Sequence, residues 1–347
     1  MKDKRFIKLN DNRKIGDTYS PYIIAELNTS HFGEISIAKK MILKAKESGC
    51  DCVKLQSWKS DTLYSKNFFN KNPISKKFFD KYSLGNKQLK ELAIFAKKIR
   101  ISFSSTPYSE EEVSFLVNEC NPAFIKIASM DLNNFTFLKF IAKKKVPVIL
   151  STGMGTFQEI DNAIKLLRRN GQKDICVLHC VSLYPLDHKI ANLKNITMLR
   201  KKFKNIPIGF SDHSVGNTLP ISSVALGASV IEKHFTLDNK KIGFDNNMAT
   251  EPHDMKVLTS ECLVAFNSLG EEKRSLTREE LTQRKKMRRS IFTSQPLKKN
   301  EKITLKKILL RRPGEGIPPN KVSKILGKKV KKNIKKNSLL KLSDVIV

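Results

Sequence analysis

The chain has 347 residues, 40% apolar and 28% charged, which supports a sizeable core and excludes a disordered, collagen-like or disulfide-stapled chain. Its length exceeds the usual single-core size, so a large domain followed by a small one is expected. With 65 basic against 33 acidic residues the net charge is +32. That charge suggests an anionic partner, yet 52 basic residues are Lys and only 13 Arg, which argues against base readout of nucleic acid.

The excess is uneven: residues 281–347 hold 21 basic and 3 acidic side chains. The start, MKDKRFIKLNDNRK, has no apolar stretch of signal-peptide length, and no segment approaches a membrane span. Six Cys, at 50, 52, 120, 176, 180 and 262, include no C-x-x-C pair and several sit in apolar runs. Buried free thiols and a cytoplasmic location are expected.

Eight short apolar runs follow in order, each succeeded by a helix-like segment: Tyr22–Leu27, Cys52–Gln56, Ile101–Pro107, Phe124–Ser129, Val146–Gly153, Ile175–Cys180, Ile206–His213 and Ser229–Phe235. Start-to-start spacings run from 22 to 31 residues except the second, which is 49. Helical periodicity over Ile35–Ser48 and Thr156–Asn170 stops at Gly49 and Gly171. Eight βα units predict an α/β fold, a closed (β/α)8 TIM barrel over residues 1–270. An open doubly wound sheet is the alternative, and no G-x-G-x-x-G supports it. The insertion at 65–82 reads either as a lid or as a surface loop. Residues 271–288 read as a charged linker, and 289–347 as a small β-rich domain.

Period-two alternation sorts the strand side chains. Lys54 and Gln56 point inward from the second run, and Lys126 from the fourth. Two inward lysines suit a phosphate or carboxylate, with an internal salt bridge to Glu26 or Glu232 as the other reading. Hydroxyls at the strand ends add donors: Ser104, Ser105, Thr106, Ser129, Ser151, Thr152, Ser182 and Ser211. His213 and His234 project inward from adjacent strands and suit a divalent metal, with Glu26 close by. His179 reads as a core residue. Asp131, after the fourth run, is a candidate acid or base, or else a cap. No nucleophilic triad and no G-x-S-x-G are present.

The stretches AELNTSHFG (25–33), VKLQ (53–56), SSTP (104–107), KIAS (126–129), LSTGM (150–154), HCVSLYP (179–185), GFSDHS (209–214), EKHFTLD (232–238) and RRPGEGIPP (311–319) resemble the N-acetylneuraminate (sialic acid) synthase family, with its legionaminate and pseudaminate relatives. The resemblance implies a TIM barrel followed by an antifreeze-like (SAF) domain. It also implies transfer from phosphoenolpyruvate to an N-acetylated amino sugar, yielding a nine-carbon 2-keto acid and phosphate. On that likeness Lys54, Thr106, Lys126, Ser129, Ser151, Ser182 and Ser211 bind phosphoenolpyruvate. His213 and His234 hold Mn2+ or Mg2+, and Glu26 lies near the metal-bound water. Gln56, Tyr184 and Asp245 contact the sugar. Arg312, from the small domain of a homodimer partner, completes the neighbouring site. The chain departs from the family pattern at Ser30-His31-Phe32-Gly33, Ser182, Asp131, Gly243-Phe244-Asp245 and Ala249, and several of these changes fall on the sugar side. A synthase using a phosphorylated sugar, a metal-dependent aldolase and a non-catalytic carbohydrate- or nucleic-acid-binding protein are the other readings.

Overall fold

Strands whose residues alternate between a helix-covered face and an interior can close a barrel when eight of them pair in parallel. The computed structural model describes residues 5–346, and its barrel strands are β1 (Tyr22–Glu26), β2 (Cys52–Ser57), β3 (Ser102–Pro107), β4 (Ile125–Ile127), β5 (Val148–Ser151), β6 (Ile175–Cys180), β7 (Ile208–Asp212) and β8 (Val230–His234). They pair in sequence order, and β8 returns to β1, so the expected closed barrel is present. Register sets Glu26 opposite both Lys54 and His234.

Outward residues such as Ile23, Val53, Leu55, Ile125, Ile127 and Leu150 share one core with the surrounding helices. The helix Ile35–Glu47 buries Ala38, Met41, Ile42 and Ala45 at helical spacing, and Gly49 ends it at φ +84°, a conformation that disfavours a side chain. Helix Phe157–Arg169 begins at Thr156, whose hydroxyl accepts from Glu159 N–H while the Glu159 carboxylate accepts from Thr156 N–H. Such a cap contributes about 1 kcal/mol.

Inward residues split by height. Tyr22, Ile24, Cys52, Phe124, Ile149, Cys176, Leu178 and Val230 cluster with Ile7, Leu9 and Ile15. The last three belong to an antiparallel hairpin, Phe6–Lys8 with Lys14–Gly16, and the turn after its first strand. This apolar plug fills the N-terminal half of the barrel, so polar side chains collect at the C-terminal ends.

The long gap between β2 and β3 holds three short helices, Ser60–Leu63, Lys66–Lys71 and Pro73–Tyr82, before the covering helix Asn86–Lys98. All six cysteines are buried and unpaired. Among the described residues no helix is long and apolar enough to cross a membrane.

The chain divides after Gly270 into two compact units. In the second, Ser290–Thr293 pairs antiparallel with Ile308–Arg311, and isolated bridges such as Leu297 with Ile334 extend the β structure. Its own small core includes Ile291, Leu297, Ile303, Ile317, Val330 and Leu340. The stretch expected as a charged linker carries a helix, Arg278–Met287, with no buried side chain. Thr277 and Glu280 cap it reciprocally, a local signal (S/T-x-x-E) that the sequence reading passed over.

Candidate active site

A cavity of about 360 Å³ opens over the C-terminal ends of the barrel strands. Lys54 and Lys126 are both buried at its floor. A buried ammonium costs several kcal/mol unless it is paired, and both are paired. Lys54 Nζ lies against Glu26 and is 3.8 Å from Glu232, and Lys126 Nζ is 3.6 Å from Glu232. The internal salt bridges weighed in the sequence are therefore real, and the same lysines still face the cavity. Lys54 also donates to Thr106 Oγ1 at 3.0 Å and Lys126 to Ser151 Oγ at 2.7 Å.

Burial and the ion pairs compete in setting the ionisation of this quartet. It pushes the Glu26 carboxyl above the ordinary range, although Lys54 opposes it. Lys126 is held below the usual lysine value by burial, which Glu232 only partly offsets. Glu232 goes the other way: burial would raise it, and the two lysines outweigh burial. Its Oε1 accepts from Ser211 Oγ at 3.2 Å.

Ser129, Ser182 and Gly153 form a tight corner beside Lys126. Gly153 N–H donates to Ser129 Oγ at 2.9 Å. A Cβ on Gly153 would stand 2.1 Å from Ser182 Oγ, so a side chain there would displace that hydroxyl.

His213 and His234 face each other with ring centroids 5.4 Å apart. Burial holds both imidazoles below their ordinary value, so they are neutral, as metal ligation requires. His213 Nδ1–H donates to Val181 O at 2.9 Å, which leaves the lone pair of Nε2 free. Among the described residues no three His, Cys, Asp or Glu side chains converge as a metal cage. The two imidazoles fit a cation whose other positions are open.

Tyr184 packs over His213 at 4.2 Å. Asp245 accepts from Asn28 Nδ2 and lies 3.8 Å from His234 Nδ1. Burial raises its carboxyl to about 6, against the Asn28 hydrogen bond. Gln56 Nε2 donates to Glu26 Oε1 at 3.4 Å and its Oε1 accepts from Tyr108 Oη at 2.8 Å.

Of the residues singled out in the sequence, Glu26, Lys54, Gln56, Thr106, Lys126, Ser129, Ser151, Ser182, Tyr184, Ser211, His213, His234 and Asp245 all line this cavity. Asp131 does not. It ends a 3-10 turn, Ser129–Asp131, where Oδ1 accepts from Asn134 Nδ2 at 3.1 Å. Arg312 belongs to the second unit and is exposed there. His179 Nε2–H donates to Ala191 O at 2.7 Å inside the core.

The sequence reading missed Tyr108, Asn28, Trp58, Tyr64 and Phe244 as lining residues, and Phe79 comes from the 65–82 insertion read as a lid or a surface loop. Tyr108 directly follows the strand-end motif SSTP, which was a usable signal. Phe244 stands beside Asp245 in a loop with no periodicity to place it.

A closed parallel barrel whose polar rim sets compensated lysines opposite neutral imidazoles defines an enzyme that handles a small anionic substrate. The NeuB family model matches residues 41–274 and the SAF domain model residues 288–346. The chain is 35% identical over 346 residues to the N,N'-diacetyllegionaminic acid synthase of Legionella pneumophila, covering 96% of this chain and 97% of that protein. It is 34% identical over 342 residues to the N-acetylneuraminate-9-phosphate synthase of Mus musculus, covering 93% and 92%. The crystal structure of N-acetylneuraminic acid (sialic acid) synthetase from Leptospira borgpetersenii in complex with citrate superposes with a TM-score of 0.75 at 32% identity, covering 81% of this chain and 95% of that one. The chain belongs to the NeuB family. It is a phosphoenolpyruvate-dependent synthase of nonulosonic, sialic-type acids.

Proposed function

We propose that the chain condenses phosphoenolpyruvate with an N-acetylated mannosamine-type aldehyde, giving a nine-carbon 2-keto-3-deoxy acid and inorganic phosphate. The observation that carries this assignment is the pair of buried lysines with their hydroxyl partners, facing the same cavity as two neutral histidines.

Lys54 and Lys126, with Thr106, Ser129, Ser151, Ser182 and Ser211, hold the phosphate and carboxylate in a preorganised polar rim. The C3 methylene attacks the aldehyde carbon, and the aldehyde oxygen takes a proton from solvent to become a hydroxyl. Water then adds to the cationic C2, and Glu26, its basicity raised by burial, accepts the released proton. The tetrahedral intermediate collapses with C–O cleavage, so phosphate leaves and the 2-keto group forms. Gln56, Tyr184 and Asp245 orient the acceptor. Asp131, which the sequence offered as a second base, lies off the cavity lining, and Asp131→Asn is expected to retain activity. His213 and His234 hold the divalent cation, Mn2+ or Mg2+, which when bound supplies Lewis-acid polarisation of the sugar carbonyl.

The test is phosphate release from phosphoenolpyruvate by purified protein with Mn2+ and an N-acetylated hexosamine, in the wild type and in Lys126→Met. The variant is expected to lose at least about a hundredfold in kcat/KM. Absence of phosphate release with every such acceptor would sink the reading.

We also propose a homodimer in which Arg312 of one chain serves the partner's cavity, and a cytoplasmic location, which six unpaired thiols support. The family resemblance supports the dimer. Mixing Arg312→Ala with His213→Ala protein after subunit exchange restores activity in hybrid dimers if the pocket is shared, and leaves it absent if it is not.

A further inference from the structure

We infer that Tyr108 is a positioning residue for the Glu26 base: its phenol locks the side-chain amide of Gln56, and that amide in turn holds one oxygen of the Glu26 carboxylate. The inference rests on the synthase reading above.

The two oxygens of Glu26 are held differently. Oε2 faces Lys54. Oε1 accepts from Asn28 N–H at 2.8 Å and from Gln56 Nε2 at 3.4 Å. The first donor is backbone and stays where the chain puts it. The second sits at the end of a flexible side chain, so it holds Glu26 only if something else holds Gln56.

That second contact is Tyr108. An ionised carboxylate only accepts, whereas a glutamine amide has a donor end and an acceptor end. With Nε2 turned to Glu26, the amide oxygen faces the other way and accepts from Tyr108 Oη at 2.8 Å. Reversing the amide would set its oxygen against the carboxylate. Burial raises the Tyr108 phenol well above its ordinary pKa, so the hydroxyl keeps the proton it donates. Two hydrogen bonds thus run in series from Tyr108 to Glu26, and bonds in series strengthen one another. The second N–H of Gln56 Nε2 remains for the acceptor.

Tyr108 is itself anchored. It follows β3 directly, beyond Thr106, the register partner of Gln56 on β2. Its backbone N–H donates to Glu112 Oε2 at 2.7 Å. The other oxygen of that buried carboxylate accepts from Lys59 N–H at 3.1 Å and from Thr62 Oγ1 at 2.9 Å. Lys59 and Thr62 lie just after β2, so one carboxylate ties the segments that leave both strands. From that tie the Tyr108 side chain reaches the cavity lining and ends on an amide. Packing alone would use the ring and leave the hydroxyl idle.

The experiment measures steady-state phosphate release from phosphoenolpyruvate with Mn2+ and N-acetylmannosamine, or 2,4-diacetamido-2,4,6-trideoxymannose if the wild type turns that sugar over faster. Wild type is compared with Tyr108→Phe, Gln56→Met and the double variant, each checked for folding by circular dichroism. Tyr108→Phe keeps the ring and removes one oxygen. It is expected to lower kcat about tenfold, with the KM for phosphoenolpyruvate unchanged. In the Gln56→Met background the same substitution is expected to change kcat little, because the hydroxyl has no amide left to hold. A kcat for Tyr108→Phe equal to that of wild type overturns the inference, and so does a loss carried by KM alone. Losses that multiply in the double variant overturn it too, since Tyr108 would then act without Gln56. Each of these results leaves the synthase reading standing. A wild type that releases no phosphate with either sugar overturns both.

Discussion

Lys233 and Asp212 form an ion pair, Nζ to Oδ2 2.5 Å, on the outer side of the barrel directly behind the two site histidines. They are register partners on β8 and β7, and each immediately precedes its histidine. Asp212 also accepts from Ser214 N–H and Oγ, at 2.9 and 3.0 Å, and Lys233 donates to Ser214 O. The pair therefore pins both strand ends at the height where His213 and His234 turn inward.

Breaking that pair on one side leaves a buried charge alone. Lys233→Met is expected to destabilise the protein by about 3–5 kcal/mol, and adding Asp212→Asn recovers part of the loss. Urea unfolding measures the first effect. Mn2+ affinity, measured on the folded double variant by titration, is expected to fall because the histidines lose their shared anchor.

His31 gives the protein an acid-sensitive point. Burial holds its imidazole down to about 4 from an ordinary 6.5, despite the Asn28 backbone hydrogen bond that raises it, and its Nδ1 accepts from Gly33 N–H at 3.0 Å. The unfolded chain binds this proton more readily than the folded one. Stability from this group is complete above pH 6.5 and declines as pH falls toward 4, by on the order of 3 kcal/mol. Urea unfolding at pH 7 and pH 4.5 is expected to show a larger drop for wild type than for His31→Gln. Equal drops would refute the assignment.

Lys126 links pH to substrate affinity. Burial depresses its pKa below the lysine value of 10.5, and Glu232 restores only part of it. The anion needs the protonated form, so the KM for phosphoenolpyruvate is expected to rise with pH before 10.5 is reached. Steady-state kinetics at saturating acceptor checks this, provided the fold survives by circular dichroism. A KM flat up to that pH contradicts the role.

A side chain at Gly153 would displace two hydroxyls of the rim. A Cβ would meet Ser182 Oγ at 2.1 Å and Ser129 Oγ at 2.9 Å, and both hydroxyls belong to the proposed anion rim. Gly153→Ala is expected to raise the KM for phosphoenolpyruvate about tenfold or more, with a smaller effect on the acceptor KM. Equal effects on both substrates would place the disturbance elsewhere.

The sequence by itself determined the barrel and the direction of its key side chains. Strand periodicity is local, so alternation around Lys54, Lys126, Ser211, His213, Glu232 and His234 sufficed to send them inward. The spacing of the βα units then brought β8 back to β1 and Glu26 beside Lys54. Helix ends at Gly49 and Gly171 were equally local. What loops do after leaving a strand carries no such period. Asp131 follows β4 in sequence, yet its 3-10 turn takes it off the cavity lining and toward Asn134. Tyr108 reaches Gln56 across the β2–β3 edge, and Phe244 joins rings from a segment far earlier in the chain. Those meetings depend on the paths of two loops at once, and only the folded barrel fixes both. The charge state of Lys126 is of the same kind, because its pKa is set by burial and by Glu232 on a distant strand, neither of which is written near residue 126.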